Sequence, residues 1–247
     1  WTHPSSAGSP IDNRRNRTVL DADLTNPAAR SQKLRAGDIL RIPGARPDFA
    51  DTVQLSGHVY RPGSFQHRKG MRLTDLLPSV DELKPNADLG YVMIRREQPG
   101  TRRVSVVSAD LGRALQFPAS TANPELAPRD RVYVFDFESG RDLYLNPVLY
   151  ELKLQAGSAE PSQIVKVSGE VRAPGEYPLE PGMRVSDLIR AGGGLSERAY
   201  ESDAELARYE ARDGQTRSSE VLKVDLRSIL IGDPAGDIVL GPFDTLV

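Results

Sequence analysis

Residues 167–189 read VSGEVRAPGEYPLEPGMRVSDLI, and residues 55–77 read LSGHVYRPGSFQHRKGMRLTDLL. Superposed at a constant offset of 112, the windows 53–77 and 165–189 agree at Val53/Val165, Ser56/Ser168, Gly57/Gly169, Val59/Val171, Pro62/Pro174, Gly63/Gly175, Gly70/Gly182, Met71/Met183, Arg72/Arg184, Asp75/Asp187 and Leu76/Leu188. Eleven identities in 25 ungapped positions mark a duplicated unit. The shared residues are types that backbone geometry demands. Val53, Leu55, Gly57 and Val59 repeat with the period of a half-buried strand, as do Val165, Val167, Gly169 and Val171. Pro62-Gly63 and Pro174-Gly175 predict a turn, with Pro fixing φ and Gly accepting a positive value. A second strand is expected around Ser64–His67 and Glu176–Leu179, closed by Gly70 or by Pro181-Gly182.

Leu73–Leu77 and Val185–Ala191 then place apolar residues three and four apart, with Asp75 or Asp187 in the first turn, where the helix dipole favours a carboxylate. In the second copy Gly192-Gly193-Gly194 ends this helix; in the first, Pro78-Ser79-Val80-Asp81-Glu82-Leu83 stands at that place. A further hairpin follows in each copy: Tyr91–Glu97 with Arg103–Val107 around Pro99-Gly100, and Ala204–Glu210 with Ser219–Val224 around Asp213-Gly214. Arg131–Phe135 and Thr245–Val247 are closing strands. Hairpin, helix, hairpin and closing strand make an α+β unit with the element order of the β-grasp, or ubiquitin-like, fold.

Ala22-Asp23-Leu24 with Leu34–Leu40 mirrors Ala109-Asp110-Leu111 with Leu126–Val132, and Val224-Asp225-Leu226 with Leu240–Leu246. Residues 1–50 therefore read as the tail of a preceding repeat plus linker, and the chain as a slice of a longer array. Residues 51–137 form one domain and 164–247 another, joined by 138–163. In that linker Asn146 reads as N-cap, Pro147 as the first helical residue and Gly157 as the stop, with Val148, Leu149, Leu152 and Ala156 able to pack on either domain.

Across 247 residues, 32 Lys and Arg balance 34 Asp and Glu, so the net charge of -2 offers no general attraction to a phosphate backbone and argues against a nucleic-acid partner. The 21 glycines and 19 prolines are spaced as punctuation, which indicates turn-rich β structure. With no cysteine, disulfides, thiolate nucleophiles and Cys-ligated zinc are excluded. No apolar run approaches the ~20 residues that span a bilayer. The start at Trp1 leads to the expectation of a processed or excised piece.

The stretch VSGEVRAPGEYPLEPGMRVSDLIRAGGGL resembles the soluble-ligand-binding β-grasp (SLBB) domain of Wza-like bacterial polysaccharide export proteins. The resemblance implies tandem SLBB domains joined by a linker helix, in the periplasmic part of a capsule or exopolysaccharide exporter. Such a protein forms a homo-oligomeric ring around the polymer, meets inner-membrane export components, and associates with the outer membrane through regions outside this chain. SLBB domains also occur in proteins handling DNA or cobalamin, so the fold leaves the ligand open.

Gly57, Pro62, Gly63, Gly70, Asp75, Gly169, Pro174, Gly175, Gly182 and Asp187 are assigned to turns and helix starts, because backbone geometry explains them without a ligand. Arg61, Arg68, Lys69, Arg72, Arg172 and Arg184 are the candidates for contact with an acidic glycan or a neighbouring subunit. His58 and His67 match Glu170 and Leu179 of the other copy, so no repeated base or metal position exists. No nucleophile–base motif or metal-ligand spacing is present, so neither an enzyme nor a cofactor is expected. Sparse aromatics fit a conduit better than a sugar receptor. The competing reading is a monomeric periplasmic carbohydrate-binding module.

Overall fold

The computed structural model describes residues 51–157, 160–200, 202–212, 216–234 and 236–247, with 27, 31, 33 and 36–39 of the N-terminal stretch. The chain divides into Trp1–Arg46 and Pro47–Val247, and the second unit contains both sequence repeats. The expected tail of an earlier repeat in residues 1–50 and the Asp213-Gly214 turn lie outside the described residues.

In the first repeat β1 (Thr52–Gly57) and β2 (Gly63–Gln66) form a hairpin, followed by α1 (Leu73–Leu76), β3 (Ala87–Glu97), β4 (Val104–Ala109), α2 (Leu111–Gln116) and β5 (Arg131–Asp136). After α3 (Asp142–Leu154) the second repeat runs β6 (Ile164–Val167), β7 (Gly175–Pro178), α4 (Val185–Ala191), β8 (Asp203–Arg212), β9 (Thr216–Asp225), α5 (Leu226–Leu230) and β10 (Thr245–Leu246). The sheets have the orders β2-β1-β5-β3-β4 and β7-β6-β10-β8-β9. In each, the opening strand lies parallel to the closing one, with Gln54–Gly57 against Arg131–Val134 and Lys166–Val167 against Thr245–Leu246, while the other pairings are antiparallel. These are two tandem β-grasp-like α+β folds, as the repeat predicts.

Gly70 and Gly182 take a positive φ in the turns expected of them, at +80° and +75°. Gly63 is not among the positive-φ residues and simply opens β2, whereas Gly57 at the exit of β1 has φ +99°. A Cβ on Gly57 would sit 2.0 Å from the Val134 carbonyl oxygen, so the close approach of β5 admits no other residue. Asp75 accepts the Arg72 backbone N–H at 2.7 Å and Asp187 that of Arg184 at 3.1 Å, each tying the first turn of its helix to the residue before it. The same arginines donate from their guanidinium groups to the carbonyls of Asn123 and Asp237, at 2.8 and 2.5 Å.

Two helices, α2 and α5, lie outside the elements that the repeat pattern predicts. Asp110 caps α2 through the Arg113 N–H, and Asp225 caps α5 through those of Arg227 and Ser228. The Ser228 hydroxyl and backbone N–H hold the Asp225 carboxyl below its ordinary range. Each helix leads to a turn that contains a buried aspartate. Asp130 pairs with Arg96 at 2.7 Å and Asp244 with Arg208 at 2.7 Å. The residues before them, Arg129 and Phe243, are non-glycines at φ +70° and +67°.

The helix of the linker begins earlier than expected. Asp142 is its first residue and Pro147 lies inside it, where the missing N–H leaves the Leu143 carbonyl without its intrahelical donor. Nor does α3 merely connect. Val53, Leu55, Leu73, Leu76, Val92, Ile94, Leu111, Val132 and Val134 form a core between one face of the first sheet and α1 and α2. The alternate residues Tyr91, Met93, Val106 and Phe135, on the opposite face, join Leu145, Val148, Leu149 and Leu152 of α3 and the core of the second repeat in one continuous cluster. The first sheet is thus covered on both faces.

Candidate functional site

Where the two repeats meet, the residues that join them also wall a cleft. Arg141, just before α3, is buried among the rings of Tyr91, Phe135, Phe137 and Tyr177, with its guanidinium carbon 5.2 Å from the Phe135 centroid and 5.4 Å from that of Tyr91. It pairs with the buried Asp88 of β3 and donates to the Ala191 carbonyl at the end of α4. Tyr91 stacks on Phe135 at 5.6 Å and meets Tyr177 edge-on at 5.8 Å. Burial pushes the Tyr177 hydroxyl up to about 12 and that of Tyr91 well above the ordinary tyrosine value, so both rings stay neutral.

The glycine cluster of the second repeat belongs to this joint. A Cβ on Gly193, at φ +81°, would lie 3.0 Å from Phe137 Cε1 and 3.2 Å from both Arg141 Nη2 and Arg172 Cβ. Arg172 stacks on Phe137 at 4.0 Å.

Beside the joint the edge of β4 is closed by side chains from the other elements. Gln155 donates to the Val104 carbonyl at 3.0 Å and accepts its N–H, and Glu180 Oε2 accepts the Ser108 N–H at 2.6 Å. Arg190 of α4 reaches back to the Gly90 carbonyl at 2.9 Å, to Ser108 Oγ at 3.0 Å and to Asp187 at 3.2 Å. Between these contacts opens a groove of about 430 Å³, walled on one side by Ser108, Asp110, Arg113 and Thr121, and on the other by Glu180, Ser186, Asp187 and Arg190. Desolvation raises the Glu180 carboxyl pKa, and its Oε1 is sealed from solvent without a hydrogen-bond partner. Guanidinium, carboxyl and hydroxyl groups from two repeats converge here, a mixture of hydrogen-bond donors and acceptors.

None of the six cationic candidates chosen from sequence lines the groove. Arg61, Arg68 and Lys69 are exposed on the first hairpin and its following loop. Arg72 and Arg184 anchor helix starts, and Arg172 caps Phe137. The groove's cations, Arg113 and Arg190, fall where the repeats diverge: Arg190 corresponds to Pro78. His58 bridges Asp136 at 3.0 Å and the Pro85 carbonyl at 2.6 Å, a framework contact. Among the described residues no group of three or more His, Cys, Asp or Glu could hold a metal ion.

The fold and groove define a two-unit β-grasp-like module with a polar cleft at its joint. The family model of the SLBB domain matches residues 52–80 and 164–218, the opening hairpin and helix of each repeat and, in the second, most of the long hairpin as well. These segments are SLBB in character, a domain type known for binding ligands. No curated protein matches the chain.

Proposed function

We propose that this chain is a non-catalytic, periplasmic segment of a capsule or exopolysaccharide export protein, in which the two units build part of a ring wall beside the polymer's path. The observation that carries the reading is the SLBB match at the corresponding place of both repeats, since this domain occurs in polysaccharide export proteins. The chemistry of the joint supports it. Hydroxyl-rich polymer is met by the mixed groove through hydrogen bonds that are individually weak, as a passing chain requires. Outer-membrane attachment and contact with inner-membrane export components belong, on this reading, to regions outside the chain.

In-frame deletion of residues 51–247 in the producing cell is expected to abolish surface polysaccharide while polymer synthesis continues. Unchanged surface polysaccharide would overturn the export reading. The groove itself favours a second reading, a monomeric carbohydrate-binding module. Calorimetric titration with fragments of the cell's own polysaccharide separates the two. A wall segment binds with a dissociation constant of about 1 mM or weaker, near ~4 kcal/mol, whereas saturable one-site micromolar binding, lost in the Arg113→Ala and Arg190→Ala variants, establishes the receptor.

A further inference from the structure

Buried carboxylates in this chain are matched by cations. Among the described residues, Asp88, Asp130 and Asp244 face the guanidinium groups of Arg141, Arg96 and Arg208, and Asp136 faces His58 while accepting two backbone N–H groups. Glu180 is the exception. Its Oε2 accepts the Ser108 N–H across the joint at 2.6 Å, but its Oε1 is sealed from solvent without a donor. The guanidinium of Arg190 is engaged with the Gly90 carbonyl, Ser108 Oγ and Asp187. The Tyr91 hydroxyl, also sealed, has no partner and so does not donate to Oε1.

Nothing in the local backbone requires a carboxyl here. Glu180 opens the turn before α4, with the Met183 N–H donating to its carbonyl at 3.1 Å and Gly182 at φ +75°. The first repeat makes the same turn, Met71 N–H to the Arg68 carbonyl at 2.9 Å and Gly70 at φ +80°, with an exposed arginine in that place. The Glu180 side chain therefore acts between the repeats, and its charge decides whether it can stay there. A carboxylate with one donor and no paired cation is disfavoured away from water, whereas the neutral acid is tolerated. The groups that face it do not offset this. Tyr91 on β3, with Tyr177 and Arg141 behind it, is neutral; on α4 Asp187 matches Arg190; the α2 wall presents one carboxylate, Asp110, and one cation, Arg113. Desolvation accordingly raises the Glu180 pKa.

We propose that Glu180 is a pH-operated latch on the joint. As the neutral acid it holds the β7–α4 turn against the edge of β4. On losing its proton to water it turns out into the groove, frees the Ser108 N–H and lets the two walls separate. The folded, latched state holds the proton more tightly than the exposed side chain does, so the closed joint belongs to acidic solution and is lost as pH rises through the folded value. The latch needs no ligand. Its failure leaves the export reading in place, and failure of that reading leaves the latch.

Amide hydrogen exchange of the 247-residue chain, followed by NMR from about pH 4.5 to about pH 7.5 and corrected for the intrinsic pH dependence of exchange, tests the proposal. Protection of the Ser108 amide is expected to fall by about tenfold or more over that interval. Gln54, whose N–H donates to the Asp130 carbonyl at 2.9 Å inside the first sheet, should remain protected throughout, which marks the opening as local. The Glu180 Cδ resonance should titrate over the same interval, above the ordinary glutamate range. Glu180→Gln keeps an acceptor for Ser108 and cannot ionise, so its Ser108 protection should stay level. The natural chain has no cysteine, so spin labels on Arg113→Cys and Pro181→Cys report the two walls without background, and they should move apart as the carboxyl ionises. Ser108 protection that stays level in the parent, an equal loss in Glu180→Gln, exchange of Gln54 along with Ser108, a Glu180 carboxyl that titrates in the ordinary range, or a label separation indifferent to pH would each overturn it.

Discussion

Glu180 and Glu97 show how the same side chain acquires opposite pH behaviour. At Glu97 the hydrogen bond from Arg95, 2.8 Å away, holds the carboxyl below its usual range. Its contribution to stability is present above the unfolded carboxylate pKa and is lost as pH falls through the folded value. Glu180 is shifted the other way, because desolvation between the repeats outweighs the N–H of Ser108 and the charge of Arg190. The folded state then holds the proton more tightly than the unfolded chain, so stability declines as pH rises from about 4.3 through the folded pKa. Gln at this place retains an acceptor for the Ser108 N–H and cannot ionise. The Glu180→Gln variant is therefore expected to be more stable than the parent at pH 7 and to lose that advantage at pH 4. Denaturant midpoints measured at the two pH values check this, and an advantage independent of pH would refute the desolvation argument.

At the scale of elements, the strands and the repeat helices were legible because their signals are local: alternation in β1 and β6, apolar spacing with a first-turn aspartate in α1 and α4. Helices α2 and α5 were also written locally, as Asp-Leu followed by apolar residues at helical spacing, but both are so short that the aspartate caps are most of their signature. Pro147 suggests a first-turn proline, but burial of Leu145 in the joint extends α3 one turn before it. The Gly192–Gly194 cluster stops α4, with positive φ at Gly193 and Gly194. Its second task, letting α4 approach Arg141 and Phe137, is tertiary and left no trace in the local pattern. The two glycines separate these tasks. Gly194→Ala meets nothing within 4 Å and should cost only the left-handed strain, about 1 kcal/mol. Gly193→Ala adds collisions with Phe137, Arg141 and Arg172, and should cost about 2–4 kcal/mol. Chemical denaturation of both variants decides it, and equal losses would mean that the joint tolerates the added methyl.

For the whole molecule, the duplicated sequence suggests two bodies on a linker, and the burial pattern shows why residues 51–247 are organised differently. Tyr91 and Met93 are 0% exposed, and Val106 and Phe135 2%, although each lies on the face of the first sheet turned away from α1 and α2. Among the described residues, α3 and the second repeat cover them. The same tertiary meeting creates the groove, whose wall includes Gly182, Met183 and Asp187, which the copies share, but whose cations Arg113 and Arg190 stand where the copies differ, so what the copies share does not point to them. Uncovering four such side chains forfeits about 1.5–3 kcal/mol each, a total comparable with the ~5–15 kcal/mol that holds a whole domain folded. Residues 51–137 alone are accordingly expected to be marginal, to bind a hydrophobic dye and to associate. Extension to residue 157 supplies the buried face of α3 and should recover part of the stability, and residues 51–247 the rest, with one cooperative transition seen alike by tyrosine fluorescence and far-ultraviolet dichroism. Three purified fragments followed through urea unfolding settle the point. If 51–137 unfolds at the same midpoint as 51–247, the first unit is self-sufficient, and the shared core is a docking contact between independent domains rather than a condition of their folding.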